Sequence, residues 1–207
     1  MTMRVVVDNG PGQKRRASSG RALKSARPQI VLRAAVAADA PALHALIAGH
    51  VEEGHLLPRL LDELIVHAPR FVIAVEAAGS GDRIVGCAEL APLSSGVAEV
   101  RSLVVSKDAR RLGLGVRMVE DLAVRARREG YERLCAFAHD PSFFVRRGFA
   151  IVPHTWVPEK IAHDCHSCPL FRNCGQYAIV LELDRMASLQ TGMQARVQAA
   201  GRKPVHV

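Results

Sequence analysis

The amino-acid sequence predicts an α+β fold, a mixed α/β/α sandwich in which a central, mostly antiparallel sheet of six or seven strands carries helices on both faces. Three observations support this. Apolar residues at helical spacing come early, at Leu43, Leu46 and Ile47. Strand-like runs joined by short turns fill the middle, at Phe71–Val75, Ile84–Leu90 and Val97–Val105. A glycine-bearing turn then leads into one long amphipathic stretch before strands resume.

In chain order, residues 1–28 mix Gly, Pro, Ser and basic side chains without a sustained period and read as a disordered basic extension. Ile30–Arg33 suits a strand. Asp39 stands as an N-cap before Pro41, which fits a first helical turn, and that helix runs to about His50. A second short helix opens at Leu56-Leu57-Pro58-Arg59, with Leu60, Leu61, Leu64 and Ile65 on one side. Gly79-Ser80-Gly81-Asp82 is a hairpin-type turn, and Pro92–Gly96 a second loop. After Arg110-Arg111-Leu112-Gly113-Leu114-Gly115 the stripe Val116, Val119, Leu122, Ala123 and Ala126 marks the long helix, which Gly130 stops. Leu134–Ala138 is a compact strand, Pro141–Arg147 a short helix ended by Gly148, Ile151–His154 a short strand and Tyr177–Leu183 the last one. The folded domain is expected over 29–187, with an irregular Cys-rich loop at 163–176 and a basic tail at 188–207.

A chain of 207 residues, 49% apolar and 23% charged, can bury a core, and with 4% aromatics aliphatic side chains must fill it. No apolar run approaches the ~20 residues of a membrane span, and the Arg-rich start lacks the apolar stretch of a signal peptide. Collagen, coiled coil, membrane protein and wholly disordered chain are excluded. The formal charge of +8 resides at the ends: residues 1–28 carry seven Lys/Arg against Asp8, and 188–207 add three more with no acid. Residues 29–187 hold 18 basic and 19 acidic side chains, so the body is nearly neutral. A metal-stapled nucleic-acid-binding module with basic tails would need basic residues clustered on that body, and contact with nucleic acid is not expected. Five cysteines, an odd number without an export signal, point to the reducing cytoplasm.

The chemistry concentrates where Val97–Val105 meets the glycine turn. Gly113 and Gly115 let backbone N–H groups converge without side-chain obstruction, and the following helix adds its unpaired N–H groups and positive dipole end, a combination that holds phosphate oxygens. Arg110 and Arg111 add charged donors. No Lys-Ser/Thr follows Gly115, so a P-loop is a poor fit, and Met118 stands where a dinucleotide fingerprint needs a third Gly or Ala.

Arg110-x-x-Gly113-x-Gly115 after Leu103-Val104-Val105 resembles the pyrophosphate loop of the GNAT acyltransferase superfamily, and Phe143 through Phe149 resembles the end of the same fold; the resemblance extends from about Ile30 to Leu183. It implies that acetyl-CoA binds through Leu103, Val104, Val105, Arg110, Arg111, Leu112, Gly113, Leu114, Gly115 and Val116, its pantetheine arm pairing with the splayed third strand. A narrower resemblance rests on five segments in order: Leu56–Arg59, Glu99–Leu103, Phe143-Phe144, Pro158–Lys160 and Asp164-Cys165-x-x-Cys168-Pro169-x-Phe171. These are similar to the short bacterial N-acetylglutamate synthases. That likeness implies transfer of acetyl from acetyl-CoA to the amine of L-glutamate, the first step of arginine biosynthesis. Another small amine or a protein N-terminus is the alternative acceptor.

Acetyl transfer needs a base for the ammonium, a donor for the tetrahedral oxyanion and a proton for the leaving thiolate. Glu99 is the expected base, through a water, and a backbone N–H near Val104 the expected oxyanion donor. Many family members carry Tyr where Phe144 stands, and Phe cannot donate a proton. His139, water or solvent would then protonate a thiolate whose thiol has a pKa of about 8.5. Two carboxylates on the acceptor call for separated cations, and Arg59 and Arg101 are the candidates, with Lys160 third. Arg101 shares its strand face with Glu99 by the two-residue period. Cys165, Cys168 and Cys174 with His163 fit a tetrahedral zinc that would staple the loop, or they pack and remain free thiols; an iron–sulfur cluster has less support. Cys87 and Cys135, inside strands, read as small core residues. The expected partners are L-glutamate and acetyl-CoA, with no membrane; a homodimer is admitted.

Overall fold

The computed structural model describes residues 29–51, 56–78, 81–166, 168 and 170–183; the basic extension and the basic tail expected at the two ends lie outside them. Seven strands form one sheet: β1 (Ile30–Ala34), β2 (Phe71–Ala78), β3 (Gly81–Pro92), β4 (Val97–Val105), β5 (Arg133–Ala138), β6 (Ala150–Val152) and β7 (Tyr177–Glu182). Their order is β1-β2-β3-β4-β5-β7-β6, antiparallel at every step except β4–β5. The parallel step follows from the crossover through the long helix α3 (Leu114–Glu129), which returns the chain to the same edge of β4.

Helices cover both faces. The buried stripe of α3, Leu114, Met118, Val119, Leu122 and Ala126, packs on Ala98, Val100 and Leu134. On the opposite face α1 (Ala40–Val51) and α2 (Leu61–His67) seat Leu43, Ile47 and Leu64 on Phe71, Ile73, Val75 and Cys87. Gly113 (φ 74°) and Gly130 (φ 88°) bracket α3 in left-handed conformations that an L side chain disfavours, which is why the sequence places glycine at both ends.

Three local expectations change. Asp39 does not cap α1; it closes a preceding 3₁₀ turn (Ala37–Asp39), accepting the Val36 N–H at 2.8 Å and the Arg33 guanidinium at 2.7 and 2.8 Å. α2 begins at Leu61 and buries Leu64 alone of the four apolar residues expected on its inner side, because Leu60, Leu61 and Ile65 point to solvent. The strand expected at Ile151–His154 runs Ala150–Val152 instead; Pro153, which has no N–H to donate, ends it and starts a 3₁₀ turn.

Two irregularities position the site. β4 and β5 pair at only three places, Val97↔Arg133, Ala98↔Leu134 and Glu99↔Cys135, after which the strands part. An opening therefore forms between the second half of β4 and the end of β5. In addition, β4 advances three residues, Arg101 to Val104, while β3 advances two, Glu89 to Cys87. The extra residue is a β-bulge, and Ser102 within it takes φ 52°. A one-residue bulge reverses which face the following side chains occupy. Accordingly Val100 packs toward α3 before it, and Leu103 and Val105 pack toward α3 after it, while Val104 joins the core beneath α1.

Candidate active site

A cleft of about 910 Å³ opens at the parting of β4 and β5. One wall is the second half of β4, Glu99 through Val105, with Arg110 beyond it; the other is the end of β5 with His139, Asp140 and Phe144. Pro58, Arg59 and Glu63 close one side, and Lys160, Asp164 and Cys168 another.

Glu99 forms the floor, its carboxylate almost wholly buried. Arg101, two residues along the strand, donates to Glu99 Oε2 from Nε at 3.0 Å and Nη2 at 2.6 Å. Lys160 Nζ donates to both Glu99 oxygens at 2.9 Å. A second carboxylate, Asp164, accepts from Arg101 Nη2 at 2.5 Å and from Lys160 Nζ at 2.8 Å. Lys160 ends a short helical turn (Pro158–Lys160), and Asp164 lies in the π-helical turn Ile161–Cys165 that continues it, so the i,i+4 spacing puts both on one side. Burial alone would raise the Asp164 carboxyl. The Lys160 hydrogen bond, the Arg101 charge and the His163 hydrogen bond overcome it and hold the group at about 2. Burial likewise opposes the charge on Arg101, but Glu99 and Asp164 raise its pKa above the ordinary guanidinium value.

Arg59 is separate from this cluster and differently used. Its Nη1 donates to Glu89 Oε2 at 2.8 Å and to Ser102 Oγ at 3.0 Å, and its Nη2 to Glu63 Oε1 at 2.6 Å. Glu89 is buried in β3 directly across from Arg101. Arg59 thus ties the strained bulge residue to the neighbouring strand. The Cys87 thiol donates to the Ser102 carbonyl at 3.5 Å and holds the bulge from the other side. Val104 lies opposite Cys87 in the β3–β4 ladder, just past the bulge. Three cations, Arg59, Arg101 and Lys160, are therefore answered among the described residues by four carboxylates, Glu63, Glu89, Glu99 and Asp164.

At the far end of β4 the chain passes through a 3₁₀ turn (Lys107–Ala109) into the glycine bend. Arg110 Nε donates to the Val105 carbonyl at 3.2 Å, and Arg111 (φ 67°) and Gly113 turn the backbone into α3. Among the described residues, the N–H groups of 111 to 116 donate to no backbone or side-chain acceptor, and Arg117 is the first to bond back, to the Gly113 carbonyl at 3.1 Å. A Cβ on Gly115 would touch the Phe143 ring at 3.5 Å. Phe143 stacks edge-on to Phe144 and beneath the Arg147 guanidinium, which also donates to the Phe143 carbonyl.

The zinc expectation is corrected. Among the described residues no group of three or more His, Cys, Asp or Glu side chains is gathered as a metal would need. Cys165 sits in the π turn, Cys168 lines the cleft, Cys174 is exposed after a 3₁₀ turn (Phe171–Asn173), and His163 Nδ1 is engaged with Asp164 at 3.1 Å. The donor set does not fit the ion. Cys87 and Cys135 are core residues as expected, and burial pushes the Cys87 thiol up to about 12.

Sequence reasoning did not single out Glu63, Glu89, Ser102 or Asp164. Glu89 was legible as the one acid in the apolar run Ile84–Leu90. Asp164 stood in a quoted motif without a role. Nothing in the spacing announces the positive φ of Ser102.

Comparison with known proteins agrees with this geometry. The model of the acetyltransferase (GNAT) family matches residues 40–149. An uncharacterised N-acetyltransferase of Chlorobaculum tepidum is 31% identical over 146 residues, 70% of this chain and 92% of that protein. The amino-acid acetyltransferase of Neisseria meningitidis is 31% identical over 140 residues, 67% of this chain but 31% of that protein. The N-acetylglutamate synthase of Neisseria gonorrhoeae, solved in complex with coenzyme A and N-acetyl-glutamate, superposes with a TM-score of 0.65 at 28% identity, over 76% of this chain and 36% of that one. The chain belongs to the GNAT family of acetyltransferases. It spans about a third of the length of the two Neisseria enzymes, and no helix among its described residues is long and apolar enough to cross a membrane.

Proposed function

We propose that this acetyltransferase carries acetyl from acetyl-CoA to the α-amine of L-glutamate, giving N-acetyl-L-glutamate and CoA, the first step of arginine biosynthesis. The observation that carries the reading is a cleft that holds a carboxylate-binding cation pair, Arg101 and Lys160, and reaches Arg110, next in the chain to N–H groups at residues 111–116 that have no acceptor among the described residues. The pyrophosphate of the cosubstrate would lie on those N–H groups and the end of α3, with Arg110 and Arg111 at its edge. Its pantetheine arm would follow Leu103, Val104 and Val105 into the gap between β4 and β5. One carboxylate of the acceptor would take Arg101 and Lys160, and the other would approach Arg59, whose outer partner Glu63 is half-buried.

The ammonium first passes one proton through water to Glu99 and the free amine attacks the thioester carbon; as the N–C bond forms and the C–S bond breaks, the nitrogen gives up its second surplus proton to water, and the thiolate takes one from His139 or solvent. A backbone N–H near Val104, on the half of β4 that has parted from β5, would serve the oxyanion. Support for glutamate comes from the Neisseria relatives, one an amino-acid acetyltransferase and one an N-acetylglutamate synthase.

The test is thiol release from acetyl-CoA against a panel of amino acids. Glutamate is expected to be the best acceptor, and Arg101→Ala to raise its KM by at least tenfold, about the loss of one charge-assisted pair. Equal rates with glutamine or lysine would reject glutamate and favour a broader small-amine acceptor.

A further inference from the structure

Arg101 and Lys160, the pair assigned above to an acceptor carboxylate, already hold two carboxylates, and these two differ in freedom. Glu99 belongs to the body of β4, paired with Ala91 on one side and Cys135 on the other, and its side chain is 5% exposed. It cannot withdraw without breaking the sheet. Asp164 lies on a π-helical turn outside the sheet, lines the cleft, and is 32% exposed. Single π turns of this kind recur at functional positions. Its Oδ2 faces Arg101 and Lys160, while its Oδ1 faces the ring of His163, which is largely exposed. Asp164 therefore has, among its partners, an inner pair and an outer one.

We propose that Asp164 is a placeholder: its carboxylate occupies the seat on Arg101 and Lys160 that the acceptor's carboxylate takes, and it swings outward when the acceptor binds. The inference rests on the acceptor reading above. In the resting enzyme the placeholder spares two half-buried cations from facing a single shared carboxylate, a costly imbalance. It also acts as a filter, because only a ligand bearing its own carboxylate can replace what it displaces. A ligand without a carboxylate leaves Asp164 in place.

The seat is probed with glutarate, a dicarboxylate that lacks the amine and cannot react. Calorimetry should find glutarate bound roughly fivefold more tightly by Asp164→Asn than by wild type, the size of one partly exposed ion pair. The KM for glutamate should fall by a similar factor while that for acetyl-CoA stays unchanged, and Asp164→Ala should repeat both results without an amide to intervene. Weaker glutarate binding or an unchanged glutamate KM in both variants, with acetyl-CoA handled normally, overturns the placeholder alone. A wild-type enzyme that fails to acetylate glutamate overturns the acceptor reading, and the placeholder with it.

Discussion

Glu99 is one carboxylate with two possible duties, receiving a proton and orienting the cations that hold it. Its bonds to Arg101 and Lys160 are consistent with both. The two duties separate with pH, because a missing base matters most where the acceptor amine is most protonated. Glu99→Gln should lower kcat by about 10²-fold, within the range for general base catalysis, with the deficit widest at low pH and closing as pH rises. A uniform deficit accompanied by a raised KM for the acceptor would instead make Glu99 a positioning residue. Arg59 shows the complementary lesson. Its sequence context suggested a substrate cation, and its contacts with Glu89 and Ser102 make it first a brace for the bulge.

Among the elements, the bounds of β4 and the glycine that stops α3 were legible in the sequence, because their signals are local, whereas the bulge at Ser102 was not. Val97–Val105 carries aliphatic side chains at both ends and alternates between them, the α3 stripe repeats at helical spacing, and Gly113 and Gly130 stand at the two ends of α3 where φ is positive. α2 was misjudged because apolar residues at helical spacing normally face a core, and here Leu60, Leu61 and Ile65 do not. The ionic cluster was illegible for the opposite reason, since Arg101 and Asp164 are 63 residues apart and only the fold brings them together. The bend itself is testable. A side chain at Gly113 meets no neighbour, so its effect is conformational: φ 74° disfavours any L residue and most strongly a β-branched one. Gly113→Val should raise the KM for acetyl-CoA about tenfold or more, the cost of ~1–2 kcal/mol of left-handed strain at the phosphate seat, and leave the acceptor KM little changed. An unaltered acetyl-CoA KM would remove this bend from cosubstrate binding.

Over the whole molecule, charge and burial set the pH window of stability. The Asp164 carboxyl is held at about 2 and those of Asp39 and Glu63 below their ordinary values, so each contributes stability above the ordinary carboxylate range. That contribution fades as pH falls through the depressed folded values. The Cys87 and Cys135 thiols are raised by burial, so the unfolded chain loses protons that the folded one keeps, and stability declines as pH climbs past the ordinary thiol range. Thermal melting should show a plateau between roughly pH 4 and 8.5, falling on both sides. Asp164→Asn should soften the acid limb, and an identical limb in the variant would mean that other carboxylates govern it.

The brief contact between β4 and β5 bears on what the cosubstrate would mean to the molecule. Four strands lie on one side of that junction and three on the other, joined by a short seam at one end. An amide-bearing arm laid into the wedge would supply the rungs the polypeptide omits, so the thioester's carrier would complete the architecture as well as deliver the acetyl group, and product departure would reopen the wedge.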